Sequence, residues 1–359
     1  SFFIGSFGTA PTAYFFRNLM VKERSQIQIA AIIVSGVTGV TCAYHGWGYW
    51  GIALQTVLYV TTNTILLWIF SPWHPTFSFR LRPLRALLPF SSKLLFTSLF
   101  THINNNIFSV LLGRFYTIQQ AGYYSQGSKW TTMGYSTIFG MINSVGQPVF
   151  REASEDLQRL QNIFRKLMRF TAFVSFPAML GLAIVSQELI VITITEKWLP
   201  CVPVMQILCV WGAFMPIATL YSNLMNSLGR PNIYMWNTIA LGIFQILCVW
   251  GSYPYGLNVM LIVYTAANIL WLLVWHYFAH KYIGISLFNT LKDIAPYLII
   301  SVAVMTFTYW VASHVENIYL SLLVKIALAT SLYIFLMWSL KSTVFQESLQ
   351  YLFKKKTIQ

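Results

Sequence analysis

Uncharged apolar runs of about twenty residues follow one another along this chain with short polar breaks, and that succession leaves few folds open. A run of this length crosses a hydrocarbon core of about 30 Å as a helix. Only a helix or a closed barrel satisfies its backbone hydrogen bonds where water is excluded. Eleven runs are read, at 2–16, 27–43, 48–70, 88–113, 118–147, 167–191, 203–228, 234–253, 256–279, 293–312 and 318–340. They are continuous rather than alternating, which excludes a membrane barrel. Charged residues make up 9% of the 359, against about 25% in soluble domains. The expectation is an all-α integral membrane protein.

The net charge of +14 does not indicate nucleic acid, because the basic residues sit in the breaks between runs. Alternate breaks carry them. One side holds Arg17, Lys22, Arg24, Arg80, Arg82, Arg85, Arg151, Arg159, Arg165, Lys166, Arg169, Arg230, Lys281, Lys292, Lys341 and Lys354 to Lys356, and the other only Arg114 and Lys197. The positive-inside rule places the rich side, and with it the C-terminus, in the cytoplasm. The stretch 151–169 is amphipathic and is expected to lie on the membrane surface before the sixth run. Cys42, Cys201, Cys209 and Cys248 lack metal or redox spacing and are expected in packing roles.

An internal repeat shapes the rest. An offset of 205 residues lays APTAYFFRNLM on MPIATLYSNLM without gaps, pairing Pro11 with Pro216, Asn18 with Asn223 and Met20 with Met225. The same offset pairs Gly51 with Gly256, Tyr59 with Tyr264 and Asn63 with Asn268. Runs one to three therefore recur as runs seven to nine in the same orientation, a parallel repeat. Runs four to six then need counterparts ahead of Ser1. The parent is expected to hold fourteen helices: two six-helix lobes, the first incomplete here, and a C-terminal pair. The expected divisions are 1–87 for parent helices 4–6, 88–280 for helices 7–12, and 281–359 for the terminal pair and basic tail.

Runs four and five carry polar faces that a lipid-facing helix should not. At about 100° per residue, Lys93, Thr97, Thr101 and Asn104 share one face of the first. Gln126, Lys129, Ser136, Gly140, Asn143 and Gln147 share one face of the second. A lysine at mid-bilayer costs roughly 2.5–3.5 kcal/mol on insertion scales, so such residues usually face a bundle interior or wet cavity. Two cationic faces without an acidic neighbour point to an anion. Both lysines also stand near enough to run ends to snorkel to the headgroups. Asn223, Asn226 and Thr219 share a face of run seven, and Asn268 lies within run nine. Amides there serve as glue between helices or contact a polar substrate. Pro177 and Pro216 interrupt backbone bonding inside their runs and are the hinge candidates.

Several chemistries lack their residues. No GxxxxGK[ST] loop is present for nucleotide hydrolysis, nor a DxD pair for metal-dependent glycosyl transfer. His276 and His280 have helical ligand spacing but sit among aromatics, and packing roles are expected for them and for His102. No carboxylate lies at the centre of a run; the nearest is Glu188, near the outer end of run six. A membrane polymerase or ligase would need a large outward loop, and the longest here is about 192–203.

The stretches LLGRFYTIQQAGYYSQGSKW, FPAMLGLAIVSQELIVITITEKWLPCVPVMQILCVWG and LYSNLMNSLGRPN resemble helices 7–11 of the polysaccharide transporter family. That family includes Wzx-type O-antigen flippases and belongs to the multidrug/oligosaccharidyl-lipid/polysaccharide exporter superfamily. The resemblance runs from the first run to about the ninth and is strongest over 88–235. It implies fourteen helices in two lobes plus a terminal pair, and no enzyme activity. It further implies that undecaprenyl-pyrophosphate-linked oligosaccharide is turned across the bacterial cytoplasmic membrane through a cationic cavity. Lys93, Arg114 and Lys129 stand where basic cavity residues would be expected. No cofactor is implied; a coupling proton or sodium ion and a partner polymerase complex are left open. A general drug or sugar exporter is the alternative reading, and a membrane polymerase or ligase a lesser one.

Overall fold

The computed structural model describes residues 1–18, 20–72 and 81–347; the side chains of some residues within them, including Lys93, Thr97, Thr101 and Asn104, lie outside that description. Among the described residues every regular element is a helix. The chain divides into two compact units, Ser1–Leu87 and Leu88–Gln359. Eight helical stretches among the described residues are long and apolar enough to cross a membrane.

The first unit contains α1 (Phe2–Phe7), α2 (Thr9–Arg17), α3 (Val21–Tyr44) and α4 (Gly48–Phe70). The first run was expected as one helix, and instead it breaks at Gly8. Proline contributes to the break. Pro11 has no N–H to give the carbonyl four residues back, which belongs to Phe7. Trp68 of α4 supplies the donor instead, Nε1 to Phe7 O at 3.0 Å.

The second unit begins inside α5 (Leu81–Phe115) and continues with α6 (Ile118–Glu152), α7 (Leu157–Ile184), α8 (Ser186–Ile194), α9 (Val202–Ser227), α10 (Pro231–Ser252), α11 (Leu257–Ile283), α12 (Leu287–Ala312) and α13 (Ile318–Ser339). Local sequence sets several boundaries. Thr117 and Gln120 form a reciprocal capping box at the start of α6. Asp156 accepts the amides of Gln158 and Arg159, both at 3.0 Å, to start α7. Asn317 does the same for α13. Gly284, at φ 69°, closes α11 in the left-handed conformation that glycine adopts at least cost.

Two expectations are corrected here. The amphipathic stretch 151–169 does not form a separate surface helix. Leu160, Phe164, Met168, Ala172 and Phe176 are all buried on one continuous stripe, with no breaker among them, so α7 runs through. The outward stretch 192–203 is not a plain loop either, because Glu196–Cys201 winds into a 3₁₀ turn leading into α9.

The core is built around α9, which is buried along most of its length between α6, α7 and α11. Close approach depends on missing side chains. A Cβ at Gly127 would stand 2.9 Å from Val204 Cγ1 and 3.1 Å from the Met205 backbone N, so α6 lies directly on α9, as small residues permit between membrane helices. Pro177 repeats the device seen at Pro11. It deprives the Phe173 carbonyl of its amide, and Tyr333 of α13 donates Oη to that oxygen at 2.8 Å. Near Pro216, Ser175 of α7 donates to the Ala213 carbonyl at 2.8 Å.

The terminal pair, α12 and α13, is bound to α7 and α8 by buried charge that the sequence did not reveal. Asp293 lies in α12, 5% exposed, and takes a two-pronged contact from Arg165, Nε–Oδ2 2.7 Å and Nη2–Oδ1 3.1 Å. At the far end of the pair, Lys325 of α13 is ion-paired with Glu188 of α8, their side chains 6% and 8% exposed. Ser321 donates to Glu188 Oε1 at 2.9 Å, and Lys325 Nζ also donates to the Ile184 carbonyl at 2.9 Å. Glu188 is thus an interior ion-pair partner, not a residue at the margin.

A polar cavity inside the second unit

Uncharged polar side chains of α6, α9, α10 and α11 border one cavity. A cavity of about 430 Å³ lies between α6, α9, α10 and α11. Its lining spans Phe139–Gln147 of α6, Trp211–Asn226 of α9, Tyr234–Gln245 of α10 and Tyr264–Trp275 of α11. These positions fall from mid-helix towards the ends that carry Arg151, Arg230 and Lys281. No charged side chain lines it. Five of the residues expected at the site meet here: Asn143, Gln147, Asn223, Asn226 and Asn268. Asn223 and Asn268 are buried, Asn226 is half-buried, and Asn143 and Gln147 are exposed on the α6 side.

The hydrogen bonds in this wall have a fixed sense. Asn268 Nδ2 donates to the Tyr264 backbone carbonyl at 2.7 Å, which orients its amide. Its Oδ1 therefore accepts, and Gln245 Nε2 donates to it at 2.9 Å. Gln245 Oε1 is left buried without a partner, as are Asn223 Nδ2 and Trp271 Nε1. An unmade hydrogen bond on a buried polar group costs about 1–3 kcal/mol. Three such groups around one cavity is an arrangement suited to a polar guest or water.

Two of the expected cationic residues, Lys129 and Arg114, are placed elsewhere. Lys129 and Arg114 are exposed and Gln126 is half-buried; none of the three lines the cavity. Lys129 lies about 200° around α6 from Gly127, the residue in contact with α9. Lys93, Thr97 and Asn104 lie outside the described side chains. Of the hinge candidates, Pro216 is buried in α9. Pro177 lines a second cavity of about 480 Å³, predominantly apolar, between α7, α12 and α13. Packing holds for His276, which is buried with Nδ1 3.2 Å from Tyr221 Oη, but not for His280 and His102, which are exposed; His280 Nδ1 meets the Ile285 carbonyl at 3.0 Å.

A family model described as "Polysaccharide biosynthesis protein" matches residues 1–203, more than half of the chain. This chain belongs to the polysaccharide biosynthesis protein family. Among relatives of the family, the lipopolysaccharide biosynthesis protein WzxC of Escherichia coli K12 is 28% identical over 67% of the chain and 50% of its own length. The teichuronic acid biosynthesis protein TuaB of Bacillus subtilis 168 is 23% identical over 77% of the chain and 58% of its own length. The chain thus spans about half the length of these relatives. Its fold is similar to that of the Lipid II flippase MurJ in an inward closed conformation, with TM-score 0.64, 16% identity, and 86% of this chain and 67% of that chain covered. This family member is therefore a multi-pass membrane protein with a flippase-type fold.

Sequence reasoning missed Gln245 and Trp271 in the cavity wall of this family member. Gln245 did carry a signal. It is the one glutamine of α10 and stands eight residues before the Tyr253–Gly256 turn, about one helical turn short of the level of Asn268, twelve residues after it. Two antiparallel helices joined by so short a turn bring such positions near each other.

Proposed function

We propose that this protein turns an undecaprenyl-pyrophosphate-linked oligosaccharide across the bacterial cytoplasmic membrane, for assembly of a surface polysaccharide. The observation that carries this reading is a polar, amide-lined cavity inside a helical lobe that is otherwise apolar. It supports passage of a hydrophilic cargo, because polar side chains within a membrane bundle usually face a pathway or a watery cavity. Membership of a polysaccharide family and likeness to a lipid flippase support a lipid-linked cargo. Lys129 and Lys93 hold the pyrophosphate, with Arg114 near the opposite mouth. The lipid tail stays in the bilayer. The cavity lies towards the helix ends that carry Arg151, Arg230 and Lys281, the ends read as cytoplasmic, where the cargo is made. Access alternates as the lobes rock against each other, with Pro177 and Pro216 as the flexible points in α7 and α9. The step is transport, with no covalent bond made or broken.

Cells dependent on this protein provide the test. Lys129→Ala and Lys93→Ala, expressed at the normal level, are expected to lose surface polysaccharide while lipid-linked oligosaccharide accumulates inside. Export at the wild-type rate in both variants would remove the anion-binding role.

A further inference from the structure

The donor and acceptor pattern of the polar cavity identifies the chemistry of its guest more narrowly than transport alone requires. A metal cation would be met by oxygens only, and two of the lining residues, Asn223 and Trp271, hold buried donors, Nδ2 and Nε1, without partners. An anion would be met by donors and positive charge, and the wall presents Gln245 Oε1, an acceptor whose orientation is fixed through Asn268 by the Tyr264 carbonyl. No lysine, arginine, aspartate or glutamate lines the space. A group that both donates and accepts at neighbouring atoms satisfies all three, as the hydroxyls of a sugar do. The remaining wall is aromatic, with Trp211, Trp271 and Trp275 among its residues. Such rings offer broad apolar faces together with a polar edge. A volume of about 430 Å³ falls at the small end of ligand sites, about 300–1,000 Å³.

We infer that this cavity is a glycan subsite: it takes a neutral, hydroxyl-rich glycosyl unit and excludes the pyrophosphate, which is held elsewhere. The inference deepens the proposed function and rests on it. Recognition is by hydrogen bonds from Asn223, Gln245 and Trp271 and by the apolar face of the sugar ring against tryptophan. Selection then acts on the sugar while the charged linker is bound without regard to its glycan.

The probes are neutral methyl glycosides of glucose, galactose and N-acetylglucosamine, with inorganic pyrophosphate as the anionic counterpart. Binding is read by saturation-transfer NMR on the purified protein in nanodiscs. At least one glycoside is expected to bind saturably and to remain bound in excess pyrophosphate. Gln245→Leu is expected to weaken it about tenfold, the loss of one hydrogen bond in a buried site. Trp271→Phe keeps a ring and removes only the N–H, so it is expected to weaken binding while the thermal midpoint stays at the wild-type value. The same preparation, reconstituted, is assayed for movement of lipid-linked oligosaccharide. Movement without glycoside binding, or with binding unchanged in both variants, overturns the subsite and leaves the transport reading standing. Displacement of glycoside by pyrophosphate overturns the separation of glycan from anion. Absence of movement removes the functional reading itself, and the subsite with it.

Discussion

Removing one partner of the Glu188–Lys325 pair tests whether the terminal helices are bound to α8 by buried charge. The side chains are 6% and 8% exposed, so neither charge can be hydrated where it stands. Lys325→Met leaves the Glu188 carboxylate with Ser321 as its only donor, while Oε2 already lacks a partner. Breaking a buried pair from one side costs about 3–5 kcal/mol, because the remaining charge is uncompensated. Glu188→Gln is expected nearer the lower end. The ammonium keeps its bond to the Ile184 carbonyl and lies 5.5 Å from the centre of the Tyr309 ring. The double variant Glu188→Gln/Lys325→Met leaves no charge stranded and is expected within about 1 kcal/mol of wild type, since neutral replacement of a buried pair is often tolerated. Equilibrium unfolding in mixed micelles completes the double-mutant cycle. The two single losses, about 3 kcal/mol or more each, together exceed that of the double variant by about 5 kcal/mol, a coupling above the usual range of about 0.5–3 kcal/mol. Losses below about 0.5 kcal/mol in both single variants, the behaviour of an exposed site, would refute the reasoning.

Three further outcomes follow from the packing and topology. Gly127→Ala places a Cβ 3.1 Å from the Met205 backbone N, where the neighbour cannot swing aside, and is expected to cost about 1–3 kcal/mol in thermal unfolding. Tyr333→Phe removes the only hydroxyl that serves the Phe173 carbonyl freed by Pro177; a loss of about 1–3 kcal/mol is expected in the same assay. Cysteines introduced at Lys197 and Lys281, in a background lacking the native four, are expected to react with an impermeant maleimide from opposite faces of the membrane, that at Lys281 from the cytoplasmic one. Labelling of both from one face would contradict the orientation.

What could be read in advance depended on how far apart in sequence the partners lie. The spanning helices were legible because each is a local property, a continuous apolar run between polar breaks. The repeat was legible too, and it led to Asn223 and Asn268, both now found in the cavity wall. The break at Gly8 was not legible from Pro11 alone, since Pro177 and Pro216 strip carbonyls of their donors in the same way inside helices that run on. That Trp68 would supply the replacement was not legible. The pairing of Asp293 and of Lys325 was not legible because their partners, Arg165 and Glu188, stand more than a hundred residues away. Only the packing of α7, α8, α12 and α13 brings those charges together. Gln245 was overlooked for a different reason: a lone amide in an apolar run is common, and its meaning appears only with Asn268 opposite. Lys129, prominent in sequence for its missing counter-ion, lies on the exposed side of α6 away from that wall.

Transbilayer movement in a defined system tests the central claim most directly. Purified protein is reconstituted into vesicles carrying fluorescent polyprenyl-pyrophosphate oligosaccharide, and the fraction reaching the opposite leaflet is followed by an impermeant glycan-modifying enzyme. Movement well above protein-free vesicles, and slowed by Gln245→Leu, is the predicted result. Movement at the protein-free rate, in vesicles where folded protein is shown to be present, would contradict the account.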